Sequence, residues 1–482
     1  MNKKWVGLLM AISLLVGAGC SFAGMQWSLK QKSAEEGHSM MESAGGSGDL
    51  DADGLEKISA AYRLIFKNYV EKVDGDKLTE GAIQGMLTTL NDPYSVYMDE
   101  KTAKQFSETL ESSFEGIGAE VSLVDGKVMI VSPFKDSPAE KAGLKPNDQI
   151  VKIDGESIEG LDLYAATLKI RGEKGTTVKL QIRRDGLSEP LIVDVKRDEI
   201  PHLTVNSEIK MHKDEKIGYM EITSFSQETA KEFKIQLKDL EEEGIDGLLI
   251  DVRGNPGGLL TAVDEILEEL VTKEKPYVQI EQRSGEKMMN FSNLTKKKDY
   301  PIGVLIDKGS ASASEILAGA LKEAGGYPLI GEKTYGKGTV QQPLPMGDGS
   351  NIKLTLYKWL TPDGNWIHKK GIEPSLEVKQ PKLYHTHPLQ VEDVLQKDMN
   401  NEQIKNAQDM LESLGYGPGR TDGYYSEATV KAVKAFQQHS DLTPTGQIDT
   451  KTASTLEQAI ITEMKSDKND LQLQSALRLI TK

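Results

Sequence analysis

A serine lies at the point where a buried strand is predicted to turn into a helix. Residues 302–307 are apolar up to a final aspartate, residues 308–314 are mostly small, and residues 315–324 have a helical composition. This is the pattern of a nucleophile elbow around Ser312, in which N–H groups at the helix start can stabilise an oxyanion. The run from Ser312 to Glu315 also fits an S-x-x-E capping box. From this segment alone, helix capping is the better interpretation.

A lysine, Lys337, lies between two glycines at the start of another predicted strand. Residues 331–337 match the phosphate-loop pattern G-x-x-x-x-G-K. Residue 338, however, is glycine where a magnesium-binding serine or threonine is required, and a strand follows instead of a helix. The sequence therefore does not predict a nucleotide-binding loop here.

A glycine-rich loop follows a third buried strand. Residues 245–251 are largely apolar, and residues 254–258 read Gly-Asn-Pro-Gly-Gly. Such a loop can present a backbone N–H to a substrate oxygen. Taken alone, a plain turn after a core strand is the better interpretation.

Together the three segments resemble the signatures of the C-terminal processing peptidases, also called tail-specific proteases. The signatures are residues 251–258, 309–315 and 334–341, in the order and spacing of that family. Val252 and Tyr335 stand where leucine and phenylalanine are common, and both departures are conservative. The resemblance extends from about residue 55 to residue 381.

The resemblance implies a serine endopeptidase with a Ser-Lys dyad and no cofactor or metal. Ser312 would be the nucleophile and Lys337 its general base, oriented by Gln341. An unperturbed lysine has a pKa of about 10.4, so burial would have to lower it for this role. His368 is the only rival base, and we interpret it as structural. The implied oxyanion hole uses the N–H of Ala313 with that of Gly257 or Gly258.

Composition limits the other classes of function. The chain has 482 residues, a formal net charge of −16, seven histidines and one cysteine. The length predicts several domains. The acidic charge argues against nucleic acid as a partner. A single cysteine excludes an intrachain disulfide, and without an HExxH pair a zinc hydrolase is not expected.

The N-terminus has the pattern of an export segment. Lys3 and Lys4 precede an uncharged stretch, residues 5–29, which is long enough to span a bilayer. The Gly-Ala-Gly-Cys run ending at Cys20 resembles a lipobox, although glycine stands where a larger aliphatic residue is usual. A lipidated Cys20 and an uncleaved anchor remain open. Both place the protein outside the cytoplasm and on the membrane, with residues 1–24 as signal peptide or anchor and 25–54 as flexible linker.

Residues 114–188 closely resemble a PDZ domain. Gly116, Ile117 and Gly118 match the loop that binds a peptide's C-terminal carboxylate through backbone N–H groups. A predicted helix flanks the peptide groove, and Arg171 lies at its C-terminal end. Arg171 is interpreted either as a surface cation that offsets the helix dipole or as a contact with the protease domain that senses bound peptide.

The remaining segments complete a multidomain prediction of α/β and β architecture. Residues 55–113 form an N-terminal helical region, and the protease core at 189–383 is implied to be α/β of the ClpP/crotonase type. Residues 389–460 resemble a small helical peptidoglycan-binding domain, for which an assembly role is the alternative. Residues 461–482 predict an amphipathic helix whose apolar face must be buried. A second subunit is one candidate, giving a homodimer through the terminal helices.

The resemblance thus implies a PDZ-regulated endopeptidase that acts on protein substrates with exposed C-termini. Its targets would be extracytoplasmic or membrane proteins, in envelope or sporulation signalling. A catalytically silent wall-binding scaffold is the alternative, and the complete set of Ser312, Lys337 and Gln341 argues against it. A peptidoglycan hydrolase is a third interpretation, but the paired carboxylates and zinc ligands of such enzymes are missing from the sequence.

Overall fold

The computed structural model describes residues 52–481, apart from residues 112, 125, 162, 185, 186, 188, 202 and 392. Cys20, the export segment and nearly all of the linker therefore lie outside the described residues. The chain divides into two compact units, Met1–Ser107 with Val340–Tyr357 and Glu108–Thr339 with Lys358–Lys482. Among the described residues, every helix is too short or too polar to qualify as a membrane span.

The first unit contains the predicted N-terminal helices. The side chain of Asp74 caps the second of them by accepting the N–H groups of Asp76 and Lys77. Strand β1 pairs antiparallel with β18, from Val96 opposite Lys353 to Met98 opposite Asn351. The elements that lie wholly or largely in this unit are α1 (Ala52–Asn68), α2 (Gly75–Thr88), β1 (Val96–Met98) and α3 (Glu100–Leu110), with β17 (Thr339–Pro345) and β18 (Asn351–Leu360) later in the chain. Glu108 in α3 and the last three residues of β18 belong to the second unit.

The PDZ domain lies in the second unit and is built on a sheet of order β3-β4-β5-β7-β8. Burial alternates along β7, where Val178, Leu180 and Ile182 are fully buried, as expected for a strand with one face on a core. The elements are β2 (Ser113–Gly116), β3 (Ala119–Val124), β4 (Lys127–Pro133), α4 (Pro138–Lys141), β5 (Gln149–Ile153), β6 (Glu156–Ser157), α5 (Leu163–Ile170), β7 (Thr177–Arg183), β8 (Leu191–Lys196) and β9 (Asp198–Pro201).

The protease core is a six-stranded sheet of order β10-β11-β12-β15-β16-β19. All neighbours from β11 to β19 are parallel, and only the edge strand β10 is antiparallel. Its elements are β10 (Val205–His212), β11 (Glu215–Ile222), α6 (Thr229–Glu242), β12 (Gly247–Asp251), α7 (Leu260–Leu270), β15 (Ile302–Ile306), α8 (Ala313–Ala320), a π-helical turn (Leu321–Gly325), β16 (Leu329–Gly331) and β19 (Leu376–Glu377).

The sheet order brings the three signature segments to one edge. The glycine-rich loop follows β12, the serine turn follows β15 and the lysine loop follows β16. These three strands are adjacent and parallel, so their carboxyl ends meet at the same side of the sheet, where α/β folds place their sites. Every residue of β12 and β15 is buried, as expected when both faces are covered.

A hairpin of β13 (Val278–Glu281) and β14 (Lys287–Asn290) pairs with the last residues of β18.

The C-terminal module is helical, as predicted, and each helix begins at a side-chain cap. Its elements are a 3-10 turn (Lys382–His385), α9 (Glu402–Ser413), α10 (Glu427–His439), α11 (Thr450–Met464), a second 3-10 turn (Asp467–Asn469) and α12 (Leu471–Ile480). The multidomain fold class is confirmed.

The last helix, α12, packs on the protease sheet of its own chain. Leu473, Ala476, Leu477 and Ile480 form one buried cluster with residues of four core strands. Close approach requires glycine at residue 303, where an added Cβ would lie 3.2 Å from Ile480 Cγ2. The amphipathic pattern was therefore correct, but a second subunit is not what covers this helix.

Candidate active site

The serine turn holds a strained backbone at the predicted nucleophile. Ser312 has φ 54° and ψ −112°, in a region that non-glycine residues rarely adopt. Asp307 braces the turn, because its Oδ1 accepts the N–H groups of Gly309 (2.9 Å) and Ser310 (3.1 Å). Strain of this kind persists only where the surroundings enforce it, and it is typical of a nucleophile elbow.

The structure distinguishes the three serines of the turn. Ser310 is fully buried, and its Oγ donates to the Val252 carbonyl at 2.7 Å. Ser314 is also fully buried, and its Oγ donates to the Asn255 carbonyl at 2.9 Å. Ser312 is half-buried. The outer serines therefore fasten the turn to the glycine-rich loop, while the middle serine reaches the surface of the site.

Glu315 is a site residue that the sequence interpretation treated only as a helix cap. It is fully buried, and its Oε2 accepts the N–H of Ser312 (2.9 Å) and the N–H of Lys337 (2.8 Å). Its Oε1 accepts Thr334 Oγ1 (2.6 Å) and the N–H of Gly336 (2.8 Å). The carboxylate half of the predicted capping box is thus formed, but it also ties the serine turn to the lysine loop. A glutamate inside an otherwise apolar helix was the available signal, because carboxylates are rarely buried without several partners.

The backbone of Lys337 is held from both sides. Its N–H donates to Glu315, and its carbonyl accepts Trp359 Nε1 at 2.8 Å. The side chain is half-buried. An added Cβ on Gly336, at φ 94°, would lie 2.9 Å from the backbone N of Gly371, so the flanking glycine allows close packing of this loop.

The segment around His368 packs behind the lysine loop. Trp366 Nε1 donates to the Gly338 carbonyl at 2.8 Å, and the imidazole of His368 stacks on the Trp366 ring at 5.2 Å. An added Cβ on Gly338 would lie 2.8 Å from the His368 backbone N. This packing favours the structural interpretation of His368. Gln341 belongs to the first unit, where its Nε2 donates to Thr355 Oγ1 at 3.1 Å, and its role in orienting Lys337 stays a prediction.

The glycine-rich loop lies directly against Ser312, the predicted nucleophile. At Gly257, with φ 104°, an added Cβ would lie 2.9 Å from Ser312 Cβ and 3.0 Å from the N atom of Ala313. The N–H of Gly257 itself donates to Asn255 Oδ1 at 2.8 Å. Gly257 thus provides the close approach and its N–H is engaged within its own loop, while the choice between Gly257 and Gly258 as the second oxyanion donor stays a prediction.

The predicted carboxylate loop of the PDZ domain lies between two helices. Ile117 is buried, and its carbonyl accepts the N–H of Ala139 in α4 at 2.8 Å. Gly118 has φ 72°, and an added Cβ would lie 2.6 Å from Ser137 Cβ. Gly116 faces the other side, where an added Cβ would lie 3.7 Å from Arg171 Cγ.

Arg171 has more contacts than an arginine that only offsets a helix dipole. Its guanidinium lies 4.7 Å from the centre of the Phe114 ring, and Nη1 lies 3.6 Å from Glu108 Oε2 in α3. About two thirds of the side chain is buried, since it is 38% exposed. Within the described part of the chain, Nε of Arg171 is buried without a hydrogen-bond partner. The residue that pairs with Arg171 thus lies in α3, the helix that precedes the PDZ domain in the chain.

Comparison with protein families agrees with this domain order. The model of peptidase family S41 matches residues 216–378, and a PDZ domain model matches residues 116–195. The model of the activating protease CtpB N-terminal domain matches residues 14–102. A putative peptidoglycan binding domain matches residues 400–456.

Whole-length relatives share the same assignment. The carboxy-terminal processing protease CtpB of Bacillus subtilis is 56% identical over 478 residues, covering 99% of both chains. The carboxy-terminal processing protease CtpA of the same organism is 43% identical, covering 89% of this chain and 90% of its own. A probable CtpA-like serine protease of Staphylococcus aureus is 35% identical, covering 90% and 86%. The chain is therefore a carboxy-terminal processing serine protease of peptidase family S41.

Proposed function

We propose that this protease uses a Ser312–Lys337 dyad to cleave extracytoplasmic or membrane proteins at or from their C-terminal tails. The observation that supports it most is the shared carboxylate oxygen of Glu315, which accepts the N–H groups of both residues. Two backbone N–H groups that donate hydrogen bonds to the same oxygen atom must lie close together. The serine turn and the lysine loop are therefore adjacent, which supports a dyad of their two side chains.

In this mechanism, neutral Lys337 takes the proton of Ser312 Oγ while Oγ bonds to the scissile carbonyl carbon. The N–H groups of Ala313 and Gly258 donate to the oxyanion that forms. The peptide C–N bond then breaks as the protonated Lys337 gives its proton to the departing amine. Water, deprotonated by Lys337, hydrolyses the ester and restores Ser312. Gln341 would orient the lysine amine, as the family resemblance implies, in a Ser-Lys variant of the serine triad.

The PDZ domain is proposed to select and report substrate tails. Backbone N–H groups of residues 116–118 would donate hydrogen bonds to a terminal carboxylate while the peptide adds a strand beside the groove. Arg171 already lies beside this loop, with its guanidinium over the Phe114 ring, and is paired with Glu108. Occupation of the loop by a carboxylate would compete for the guanidinium and so shift Arg171 between two partners.

The flanking segments are proposed to locate the enzyme. Cys20 lipidation or an uncleaved signal anchor would hold it on the outer face of the membrane, and residues 389–460 would bind peptidoglycan.

The exposed apolar side chains of α1 and α2 support a homodimer through these helices, because such patches usually mark interaction sites. They include Leu55, Ile58, Leu64, Ile65, Phe66 and Met86. Signalling in the envelope or in sporulation would suit a tethered protease of this kind.

The test is cleavage of an unfolded reporter protein with a free apolar C-terminus, followed by mass spectrometry of the fragments. Ser312→Ala should abolish cleavage and keep the fold. Ser314→Ala is the matched control: it should remain active with a loss of about 1–2 kcal/mol in stability, because a buried hydrogen bond is removed. Full activity of Ser312→Ala would reject the nucleophile, and folded wild-type protein that cleaves nothing would favour a silent scaffold.

A further inference from the structure

A guanidinium lies between two carboxylates beneath the glycine-rich loop. Arg253 Nη2 lies 2.6 Å from Asp251 Oδ2 and 2.8 Å from Asp470 Oδ2, and Nη1 lies 3.0 Å from Asp470 Oδ1. The three side chains are 16%, 4% and 12% exposed, in the order Arg253, Asp251, Asp470. Tyr219 donates its hydroxyl to Asp251 Oδ2 at 2.7 Å. This network is largely shielded from water.

Asp470 comes from the far end of the chain and is itself firmly placed. It is the N-cap of α12, with Oδ1 accepting the N–H of Leu473 at 2.9 Å. Gln380 Nε2 donates to the same Oδ1 at 2.7 Å. Gln472 Oε1 accepts Arg253 Nη1 at 3.1 Å. Since α12 is packed on the protease sheet, its docking determines where Asp470 meets Arg253.

The network favours a charged Asp470. Burial alone would raise the pKa of the Asp470 carboxyl, but the hydrogen bond and the positive charge of Arg253 outweigh burial, and the pKa lies below its ordinary value. Without Asp470, Nη1 of the Arg253 guanidinium would lose its charged partner, and Nη2 would keep only Asp251. An unpaired buried donor is costly, so Arg253 would rearrange.

Arg253 is part of the loop that approaches the nucleophile. Its own N–H donates to Asp251 Oδ1 at 2.9 Å, and the next residue, Gly254, donates its N–H to Asp307 Oδ1 at 2.8 Å. Three residues further on, Gly257 lies against Ser312. Hydrogen-bond donors in an oxyanion hole act only when they are held in place before the reaction.

We propose that Asp470 is a positioning residue for the oxyanion loop, so that docking of the C-terminal helix α12 sets the catalytic rate. The proposal rests on the proposed function, because it assigns the second oxyanion donor to this loop. Residues 461–482, which follow the module at residues 389–460, would then contribute to catalysis by positioning this loop. Substrate capture by the PDZ domain should not depend on it.

The experiment compares Asp470→Asn with Asp467→Asn in the full-length protein. Both variants remove one negative charge from the same stretch, but Asp467 is 53% exposed and pairs with Lys210 instead. Each is assayed for kcat, KM and inhibition by a peptidyl boronic acid, which mimics the tetrahedral oxyanion on serine. Asp470→Asn should lower kcat and boronate affinity about tenfold each, equal to about 1.4 kcal/mol, with KM nearly unchanged. Asp467→Asn should behave as wild type.

A merely structural role of Asp470 would lower the melting temperature without changing kcat or boronate affinity of the folded enzyme, and that result would overturn the proposal. If Asp470→Asn does not fold, the same assays are made on Asp470→Ser, because serine still caps the helix N-terminus but cannot form the ion pair with Arg253. Equal kcat for Asp470→Ser and wild type would also overturn it. Failure of the proposed function looks different: the wild-type enzyme itself would then show no Ser312-dependent cleavage.

Discussion

The backbone N–H of Ser312 and that of Lys337 donate to one and the same carboxylate oxygen, at 2.9 and 2.8 Å. The oxygen belongs to Glu315, which is completely buried in the first turn of α8. Charge-assisted bonds of this kind are stronger than neutral ones. The serine turn and the lysine loop are therefore positioned by a shared anion as well as by the sheet.

The first prediction concerns this anion. Glu315→Gln should lower kcat at least about a hundredfold and destabilise the protein by about 2–4 kcal/mol, because an amide cannot accept four N–H or O–H donors at once. Activity and thermal unfolding of purified protein measure both effects. Glu265→Gln, at an exposed position on α7, is the control and should change stability by less than about 0.5 kcal/mol. An active Glu315→Gln enzyme would show that the sheet alone aligns the two loops.

Replacement of Lys337, the proposed base, by arginine should show whether catalysis needs only a positive charge or a group that can take a proton. Lys337→Arg should be folded but inactive, since arginine keeps the charge and cannot deprotonate at accessible pH. In the wild-type enzyme, kcat should rise with pH, because only the neutral lysine can take the serine proton. A pH–rate profile of the wild type and the activity of both variants, Lys337→Arg and His368→Ala, test this. A rate that follows a group of pKa about 6.5 and is lost in His368→Ala would favour histidine as the base.

The contact between Arg171 and Glu108 makes the PDZ mechanism testable. Arg171→Ala should lower cleavage of a substrate with a free C-terminus several-fold and leave cleavage of its C-terminally amidated form unchanged. Loss of a partly exposed ion pair and one cation–π contact should cost only about 1 kcal/mol of stability.

The matched variant Glu108→Gln removes the observed partner of Arg171 and leaves the arginine free for a peptide carboxylate. It should therefore cleave the free-ended substrate at least as fast as wild type. Turnover of both substrates by all three proteins is the measurement. Identical rates throughout would reject both the gating role of Arg171 and the carboxylate role of residues 116–118.

The partly buried carboxyl of Asp264 in α7 should give the protein a pH-dependent stability. Burial raises the pKa of Asp264 to about 6, in spite of hydrogen bonds from Tyr277 and Asn290. A raised folded pKa means that the stabilising contribution of the neutral acid is complete below about pH 4 and is lost as pH rises through about 6. Asp264→Asn should therefore match wild type near pH 4 and exceed its stability near pH 8.

The expected gain of Asp264→Asn at pH 8 is about 1–2 kcal/mol, less than the pKa shift alone suggests because part of the group reaches solvent. Melting temperatures of wild type and variant between pH 4 and pH 8 give the difference directly. Glu265→Gln, on the same helix, should show no such trend. A constant difference across the range would mean that Asp264 is charged throughout.

The sequence by itself determined the local features of this protein. Pro138 and Gly143 are local signals for the short helix α4, because proline fits a first helical turn and the φ of 79° at Gly143 favours glycine. The resemblance of residues 114–188 identified the PDZ domain, and the amphipathic period identified α12. Small residues around Ser312 indicated a tight turn. All of these depend on neighbours a few positions apart, so the pattern of side chains along the chain is sufficient.

Only the tertiary structure decided which groups share a site. The role of Glu315 depends on bonds to a loop about twenty residues away, and that of Asp470 on an ion pair to Arg253 across the whole protease core. The same holds for Ser310 and Ser314, whose hydroxyls are occupied by the loop after β12. A capping box, an N-cap and a serine-rich turn look identical in sequence whether or not they have these partners. The order of parallel strands brings them together, because it aligns the carboxyl ends of β12, β15 and β16 on one edge.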